Sequence, residues 1–548
     1  MNYIIADHII SPLAVGSEPT LEAVLAGRSA LRVHTDAFPC VEPFCASRFE
    51  KVQWEQLCID AVKGTNIDSA LLASPDTLFV LSTTKGNVSL LAETEDILLH
   101  DSARRIARAF ANPNEPIVVS NACISGVCAL ITAQRVLDAG MYRHVVVVGS
   151  DVLSAFIVSG FQSFKALSPS PCKPFDAARQ GLNLGEAAAC MVLTADEQWA
   201  NRSYGSILSG AIHNDANHIS APSRTGEGSY RCLSEVMGDR DDLAFINVHG
   251  TATLYNDEME SVAIHRAELS DIPVNALKGY FGHTLGAAGL LETILSLHAL
   301  HRGLILGTRG YQTPGTTNLL NIDPQTRTTT KREFIKLLSG FGGCNAAIRV
   351  TLDAPLTTSP ESEISNLASL TEVHITPNSV TLNGTPLEVS SHGGAMLTEL
   401  YRAYVGDYPK YFKMDPLARL GFVASELLLR SLPEERFVPR ADRAIILANR
   451  SSCLANDREY QRTIMPDNYY PSPSVFVYTL PNIVTGEIAI RNSYYGETSF
   501  YVMDSYSQLD PLIPLAFAQK GTQSALTGWI ECHDADHFEA HLQLITKI

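Results

Sequence analysis

The sequence lacks the features typical of metal-bound, disulfide-bonded and membrane-spanning proteins. Its eleven cysteines fall at irregular intervals, with no CxxC pair and no spacing typical of metal ligands. In a chain of 548 residues this pattern indicates free thiols in a reducing compartment. No stretch stays apolar long enough to cross a bilayer, because Asp151 interrupts the run VVVVGSDVLSAFIV. We therefore expect no metal site, no disulfide bond and no membrane association.

Positive charge is also scarce, since 41 Lys and Arg residues stand against 58 Asp and Glu residues, a net charge of −17. This balance argues against general affinity for nucleic acid or for an anionic membrane. Two basic groups, TRTTTKR (326–332) and Arg104 with Arg105 and Arg108, are candidate contacts for an acidic protein, although a solvated charged face is the simpler interpretation. The start, MNYIIADHIISP, has no basic region and predicts a cytoplasmic protein without a signal peptide.

Short β-rich runs alternate with longer helical stretches over residues 1–353. The runs are continuously apolar, which is typical of a sheet covered on both faces. Residues 127–140 repeat apolar side chains at helical spacing and end at Gly140. This alternation predicts a layered α/β fold. The predicted strands are TLFVLST (77–83), PIVVSN (116–121), HVVVVGS (144–150), AACMVLT (188–194) and FINVHG (245–250).

One segment poor in large apolar residues, APLTTSPESEISNLASLT (354–371), predicts a linker between two domains. It would separate a first domain of residues 1–353, with halves of about 1–200 and 201–353, from a second domain of residues 372–548. Ordered patterning resumes in the second domain. There we predict strands at RAIILAN (443–449) and SVFVYTL (474–480) and a helix at PLARLGFVASELLLRSL (416–432).

The motif SNACISG (120–126) places Cys123 between a predicted strand and a predicted helix. A sulfur at a helix N-terminus lies near unpaired N–H groups and the positive end of the helix dipole, which favour the thiolate. The small residues Ser125 and Gly126 leave room for a substrate. The alternative interpretation is a buried, inert thiol.

Two histidine motifs favour the catalytic interpretation of this cysteine. VHGTATLYNDEME (248–260) places His249 directly after a strand, and KGYFGHTLGAAGLLE (278–292) places His283 in a Gly/Ala-rich loop before a helix. A cysteine nucleophile needs neighbouring groups that manage protons and developing negative charge. A lone histidine would more often be structural, but two in such settings, together with SGFGGCN (339–345), indicate an active site.

These motifs, in this order, resemble those of the β-ketoacyl synthases, the condensing enzymes of fatty-acid and polyketide assembly. The resemblance covers nearly all of residues 1–353 and implies a thiolase-like layered α-β-α-β-α fold. Ala252, where the family usually has glycine, and Gln180, where it has an acid, depart from the pattern without removing a reactive group. Further matching segments are ISPLAVGSEPTLEAVLAGRSALR (10–32), STTKGN (82–87), PFDAARQGLNLGEAAA (174–189) and NDANHISAPSRTGEG (214–228).

The resemblance implies a role for each reactive residue. Cys123 would take an acyl chain, as a thioester, from the phosphopantetheine of an acyl carrier protein. His249 and His283 would bind the malonyl thioester and stabilise the enolate that forms when it loses carbon dioxide. Lys278 and Glu292 would form a buried pair that organises the two histidines. The phosphopantetheine arrives on the carrier protein, so we expect no resident cofactor.

Further residues would support the reaction according to the same resemblance. Backbone N–H groups of Cys123 and Phe341 would form an oxyanion hole, and removing one such donor typically costs ~10²–10³ in rate. Phe341 would also act as a gate between acyl entry and extender entry. Thr251 and Thr253 would contact the pantetheine arm, whereas Glu186 would be structural.

Three related families fit the sequence less well. Starter-type synthases have asparagine at the position of His283, and chain-length factors have lost the nucleophile that Cys123 supplies. Thiolases use a second cysteine, for which Cys344 is the candidate, but it lies where ketosynthases carry a small polar residue. We therefore predict an acyltransferase that condenses a Cys-bound acyl group with malonyl-carrier protein to give β-ketoacyl-carrier protein. The alternative is a non-catalytic chain-length or scaffold partner of another ketosynthase.

Residues 372–548 resemble the N-terminal half of a second ketosynthase without its reactive groups. The nucleophile turn would fall within residues 502–505, where there is no cysteine and where Ser505 has no paired base. We therefore predict a non-catalytic half-thiolase-like α/β domain that packs on the synthase or its dimer partner, or shapes the acyl tunnel. Such half-synthases resemble components of aryl-polyene pathways. Family members dimerise through the central sheet, so we expect a homodimer or a heterodimer with a related ketosynthase.

Overall fold

The computed structural model describes residues 2–39, 41–94, 97–353, 366–465 and 470–548. The strands, in chain order, are β1 Tyr3–Ile10, β2 Arg32–His34, β3 Phe44–Ser47, β4 Thr77–Ser82, β5 Ile117–Val119, β6 His144–Asp151, β7 Leu184–Gly185, β8 Ala187–Thr194, β9 Ser206–Asn214, β10 Leu243–Asn247, β11 Pro273–Asn275, β12 Leu304–Ile305, β13 Asn321–Ile322, β14 Arg327–Thr328, β15 Glu333–Gly340, β16 Cys344–Thr351, β17 Leu367–Thr376, β18 Ser379–Leu382, β19 Thr385–Pro386, β20 Arg443–Asn449, β21 Thr498–Val502, β22 Ser524–Cys532 and β23 Phe538–Lys547.

The α-helices connect and cover these strands. In chain order they are α1 Ser17–Leu25, α2 Trp54–Gly64, α3 Ser69–Leu72, α4 Leu99–Arg108, α5 Ser125–Asp138, α6 Ala155–Ser163, α7 Glu227–Val236, α8 Leu254–Arg266, α9 Lys278–Phe281, α10 Ala288–His301, α11 Gly393–Tyr404, α12 Pro416–Arg430, α13 Leu454–Thr463, α14 Pro473–Val477, α15 Ile483–Asn492 and α16 Ile513–Ala516. None of the helices in the described ranges has the length and apolar character needed to cross a membrane.

The largest sheet has twelve strands and contains the same five-strand pattern twice. In the first part of the chain the order is β1-β8-β6-β4-β5, with β4 parallel to β5 and β6, and β8 antiparallel to β6 and β1. In the C-terminal part (residues 366–548) the order is β17-β23-β22-β20-β21, with the corresponding parallel and antiparallel pairs. The C-terminal part therefore has the half-fold that the sequence predicted.

A second sheet, of order β13-β11-β10-β15-β16-β9, carries the pattern a third time in β9-β16-β15-β10-β11. Helices α5 and α10 lie between the two sheets, and their apolar side chains form one core with both. Helices α2 and α4 pack on the outer face of the first sheet, and α7 and α8 pack on the second. This arrangement is the predicted α-β-α-β-α layering.

The two parts of the chain meet where β5 pairs antiparallel with β21. Tyr501 lies opposite Val119, and Val502 lies opposite Val118. Each of these strands leads into a turn, at Cys123 in the first part and at residues 503–505 in the C-terminal part. The C-terminal part therefore occupies the edge of the strand that precedes the candidate nucleophile.

Two buried ion pairs also join the parts. Lys85 Nζ lies 2.6 Å from an Asp457 carboxylate oxygen, and Arg135 on α5 lies 2.9 Å from the Glu497 carboxylate. All four side chains are at most 11% exposed. Removing one partner of either pair would leave an uncompensated buried charge, so each part of the chain supplies a counter-charge that the other needs.

The structure contradicts the strand predicted at residues 474–480, where helix α14 lies instead. Pro473 stands at the start of this helix, a position where its fixed φ angle suits a helix and its missing N–H costs nothing. The run SVFVYTL is largely buried, and a short apolar run gives no periodicity that separates a buried strand from a buried helix. The local composition alone therefore predicted a strand where the chain forms a helix.

One further expectation about the C-terminal part, the end of the predicted linker, needs correction. Residues 354–365 of the expected linker lie outside the described residues, but its final residues belong to β17, which begins at Leu367. After the turn at residues 503–505 the chain forms only the four-residue helix α16 before β22, where the first part has the 14-residue helix α5. Pro511 and Pro514 in this segment explain the shorter helix, because proline does not continue a helix from within.

Candidate active site

Cys123 lies in a tight turn between β5 and α5. The turn is the 3₁₀ segment Ala122–Ile124, and Ala122 has a φ angle of 47°, a left-handed conformation that costs energy for a residue with a Cβ. The hydroxyl of Ser125 stabilises it, donating to the Ala122 carbonyl (2.7 Å) and accepting from the Asn121 N–H (2.8 Å). The turn places the partly exposed Cys123 at the N-terminal end of α5, as predicted.

The structure brings Cys123 and the two predicted histidines together. His283 Nε2 lies 2.9 Å from Cys123 Sγ. The rings of His249 and His283 meet edge to face, with centroids 4.9 Å apart. Cys123 Sγ and one ring nitrogen of each histidine all lie within 4.8 Å of one another. These three atoms could ligate a metal ion as well as act on a thioester, since sulfur and imidazole serve both purposes.

The expected thiolate is not favoured in this environment. Burial raises the pKa of Cys123 to about 12, although the positive charge of Lys278 acts in the opposite direction. Desolvation of the sulfur therefore favours the thiol over the thiolate expected at a helix N-terminus. The neighbouring His283 Nε2, 2.9 Å from the sulfur, is placed to accept the thiol proton.

Both histidines are held in the neutral form. Burial and then the positive charge of Lys278 lower the pKa values of His249 and His283 well below the usual range. Among the described residues, neither Nδ1 atom has a hydrogen-bond partner. A neutral imidazole can donate through one ring nitrogen and accept through the other, so the pair can exchange protons with a substrate.

The predicted pair of Lys278 and Glu292 forms beneath the histidines. Lys278 Nζ donates to Glu292 Oε1 at 2.8 Å, and both side chains are buried. A second buried lysine, Lys336 on β15, donates to Glu292 Oε2. Burial would raise the pKa of Glu292, but the charges of the two lysines lower it below the usual range. The carboxylate is therefore ionised and shared between two ammonium groups.

A further carboxylate holds the backbone at His249. Glu260 on α8 accepts from the His249 N–H (2.7 Å) and from the Gly250 N–H (2.8 Å). Burial raises the pKa of Glu260 to about 7. This carboxylate fixes the end of β10 and so the position from which the His249 ring extends.

Phe341 lies on the loop between β15 and β16, against the nucleophile turn. A Cβ atom built on Gly340 would lie 3.3 Å from the Cys123 backbone nitrogen, so the two backbones approach closely. The Phe341 ring packs against Phe161 and Phe164, with centroids 6.3 and 5.5 Å away. From the C-terminal part, Asn482 Nδ2 donates to the Phe341 carbonyl at 2.8 Å.

A cavity of about 460 Å³ leads to Cys123, His249 and His283. Thr251 and Thr253 line it, with hydroxyl oxygens 2.9 Å apart. Between them Ala252 has a φ angle of 62°, a left-handed conformation that glycine adopts at lower cost. The predicted reactive residues, Phe341 and both threonines therefore share one cavity, and Lys278 and Glu292 lie behind it.

Glu186 lies outside this cavity. Its carboxylate accepts hydrogen bonds from the backbone N–H groups of Phe49 and Leu153, as expected of a structural residue.

Three residues of this region were not predicted. Glu260 belongs to the same motif as His249. Its place in the helix that follows the strand end could have indicated a carboxylate near His249. Lys336 interrupts the apolar strand EFIKLLSG, and a lysine inside a buried strand indicates an internal ion pair. Asn482 offered no signal, because its contact spans 141 residues of sequence.

The turn at residues 503–505 in the C-terminal part carries no comparable site. The Ser505 side chain accepts from the backbone N–H of Gln508, whose side chain in turn accepts from the Ser505 N–H. The serine hydroxyl therefore caps a short 3₁₀ helix, which supports its interpretation as structural.

Known proteins resemble this chain in sequence and in fold. Residues 87–198 match the family model "Beta-ketoacyl synthase, N-terminal domain", and residues 204–312 match "Beta-ketoacyl synthase, C-terminal domain". The chain is 32% identical over 264 residues to 3-oxoacyl-[acyl-carrier-protein] synthase 2 of Rhizobium meliloti (strain 1021). That alignment covers 44% of this chain and 62% of the relative, so the chain spans about three fifths of the relative's length.

Two solved structures show the fold. The structure described as "PfaC Keto synthase-Chain length factor" matches 100% of this chain and 78% of its own, with a TM-score of 0.81 at 14% identity. "The ishigamide ketosynthase/chain length factor" matches 64% of this chain and 99% of its own, with a TM-score of 0.59 at 24% identity. The chain shares the thiolase-like fold of these structures, and its residues 87–198 and 204–312 are similar to the two domains of the β-ketoacyl synthases.

Proposed function

We propose that this protein is an acyltransferase that extends an acyl chain by decarboxylating condensation with a malonyl-carrier protein. The observation that carries the proposal is the 2.9 Å contact between Cys123 Sγ and His283 Nε2, with His249 beside them in one cavity. A sulfur nucleophile with a proton acceptor and a second imidazole has the groups that thioester chemistry requires.

The first step loads the acyl chain. Cys123 Sγ attacks the carbonyl carbon of an acyl thioester on a carrier protein, and its proton passes to His283 Nε2. The tetrahedral intermediate expels the pantetheine sulfur, which takes that proton and leaves as a thiol. The backbone N–H groups of Cys123 and Phe341 would stabilise the oxyanion, while Thr251 and Thr253 contact the pantetheine arm.

The second step forms the carbon–carbon bond. The malonyl thioester binds with its carbonyl oxygen toward His249 and His283, and loss of carbon dioxide leaves an enolate whose charge these imidazoles stabilise. The enolate carbon attacks the acyl carbonyl on Cys123, and the cysteine leaves as a thiolate. Uptake of one solvent proton restores the thiol, and the product is a β-ketoacyl-carrier protein.

The C-terminal part corresponds, in this proposal, to a chain-length factor joined to its ketosynthase. The likeness to a structure titled keto synthase-chain length factor extends over the whole chain, which supports this assignment. Because β21 already pairs with β5, a second copy of the chain cannot pair at that edge. We therefore propose that one chain supplies both halves of the dimer that the resemblance implied, and that it works in the cytoplasm in a fatty-acid or polyketide pathway of the aryl-polyene type.

The competing function is a scaffold in which the first part of the chain no longer catalyses condensation. The buried lysine–glutamate cluster argues against it, since such a cluster is costly to bury and serves the histidines above it. A scaffold would have no need of neutral histidines beside a thiol.

Intact-mass measurement with a panel of acyl-carrier proteins tests the proposal. We expect an acyl adduct on the wild-type chain that Cys123→Ala abolishes and that Cys532→Ala, a substitution of a buried cysteine in the C-terminal part, leaves in place. Adding malonyl-carrier protein should then release the adduct as a β-ketoacyl product.

Two outcomes of this experiment would overturn the proposal. If malonyl-carrier protein is decarboxylated but no acyl donor labels Cys123, the condensing role fails. If Cys344→Ala abolishes product formation while the Cys123 adduct still forms and persists, a second cysteine takes part, as in a thiolase.

A further inference from the structure

Lys336 is a buried ammonium group that the proposed reaction does not use. Its side chain is fully buried on β15, five residues before Phe341. Three oxygen atoms surround Nζ: Asn247 Oδ1 at 2.6 Å, the Val248 carbonyl at 3.3 Å and Glu292 Oε2. Because a lysine has three N–H donors, this oxygen set satisfies every one of them.

The three oxygens come from segments that carry the reactive groups. Asn247 ends β10, and Val248 is the residue before His249. Glu292 belongs to α10, which follows His283, and it also holds Lys278. One ammonium group therefore joins the strand that leads to Phe341, the segment that leads to His249 and the helix that follows His283.

Packing alone does not explain a lysine at this position. An apolar side chain of similar length would fill the same space and avoid the cost of burying a charge. Burial lowers the pKa of Lys336 to about 8, so the ammonium form persists at neutral pH because the oxygen set and Glu292 stabilise it. The retained charge indicates a function for the cation itself.

We propose that Lys336 is a positioning residue, an internal cation that holds the backbone before His249 and the carboxylate of Glu292 in place for malonyl decarboxylation. This inference rests on the proposed condensing function. Lys336 touches no reacting atom, and it acts through His249 and through the shared carboxylate.

Three variants of the whole protein test the role of the charge. Lys336→Met keeps the length of the side chain without the charge, and we expect it to fold yet to decarboxylate malonyl-carrier protein roughly 10–100-fold more slowly, the usual cost of losing such a supporting contact. Acylation of Cys123 should fall less, because it does not require the enolate. Lys331→Met, which removes a lysine that donates to the Leu243 carbonyl at the other end of β10, should leave both rates unchanged.

Chemical rescue separates the charge from the packing. Lys336→Ala leaves a space bounded by the same three oxygens, so added ammonium chloride should restore part of the decarboxylation rate in this variant but not in Lys336→Met, where the thioether fills the space. Tetramethylammonium chloride, whose cation is too large, should restore neither.

The outcomes are distinguishable from failure of the proposed function. If the wild-type chain neither accepts an acyl group nor decarboxylates malonyl-carrier protein, the condensing function fails. If the wild-type chain is active and Lys336→Met decarboxylates at the wild-type rate, the inference about Lys336 is overturned. The inference is also overturned if Lys336→Met loses acylation and decarboxylation equally and ammonium does not restore the decarboxylation rate of Lys336→Ala. If the Lys336→Ala variant does not fold, the rates of Lys336→Met alone decide.

Discussion

Asn482, in the C-terminal part of the chain, donates from Nδ2 to the carbonyl oxygen of Phe341 at 2.8 Å, at the edge of the candidate active site. The same nitrogen lies 3.5 Å from Cys344 Sγ, and a Cβ atom on Gly342 would lie 2.7 Å from it. The glycine-rich loop is thus built to receive this asparagine. The C-terminal part therefore supports the loop that carries the proposed oxyanion donor.

Replacing Asn482 with alanine should slow condensation without abolishing substrate binding. The Phe341 carbonyl would lose its strongest donor, and the loop would no longer be held at one position relative to Cys123. We expect kcat to fall roughly 10-fold with little change in KM. Steady-state measurement of β-ketoacyl product would show this, with the exposed Asn378→Ala as a control in the same part of the chain. An equal kcat in both variants would refute the role of Asn482.

Replacing Phe476 with alanine should lengthen the acyl chain that the protein accepts. Phe476 on α14 packs edge to face on Phe161, which lines the cavity, with ring centroids 5.7 Å apart. Removing its ring would open space behind Phe161, at a cost of about 3–5 kcal/mol in the free energy of unfolding. Mass analysis of the Cys123 adducts formed from a ladder of acyl lengths measures the effect. The exposed Phe412→Ala should leave the ladder unchanged, and an unchanged ladder in Phe476→Ala would refute the prediction.

Substitutions at Arg135 and Glu497 should show strong coupling between the two parts. Replacing either residue alone with methionine leaves a buried charge without its partner, which typically costs about 3–5 kcal/mol. Replacing both should cost much less than the sum, because no unpaired charge remains. A double-mutant cycle in urea unfolding measures the coupling, and additive effects of the two single substitutions would contradict it.

Glu186→Gln should change how stability depends on pH and leave acylation of Cys123 unchanged. Burial raises the pKa of Glu186 from 4.5 to about 7. The folded protein therefore holds this proton more tightly than the unfolded chain, so the stability it contributes is fully present below pH 4.5 and is lost as pH rises through 7. Glutamine resembles the protonated carboxyl and does not titrate.

Urea unfolding at pH 4.5 and pH 8 measures this effect. Between these values wild-type stability should fall, relative to the variant, by about 3 kcal/mol. Parallel curves for the two proteins would show that Glu186 keeps its ordinary pKa, and a loss of acylation in the variant would show that it is more than structural.

The strands of the first domain could be predicted because they are continuously apolar and bounded by turn residues. Strands β4, β6 and β8 fall within one residue of the expected bounds. The same kind of run at residues 474–480 is a helix, because burial on all sides erases the periodicity that separates the two structures. The sequence pattern therefore predicts secondary structure correctly where turn residues bound the apolar run, and it fails where the run is short and wholly buried.

The sequence by itself determined the layered fold, the order of the motifs and the identity of Cys123, His249 and His283 as the candidate reactive residues. Only the tertiary structure decided that burial raises the pKa of Cys123, that Lys336 shares Glu292 with Lys278 and that Asn482 reaches the Phe341 loop. Local patterns depend on neighbours in the chain, so they are visible in the sequence. Desolvation of a sulfur and hydrogen bonds across 44 or 141 residues depend on which surfaces pack together, and that is fixed only when the whole chain folds.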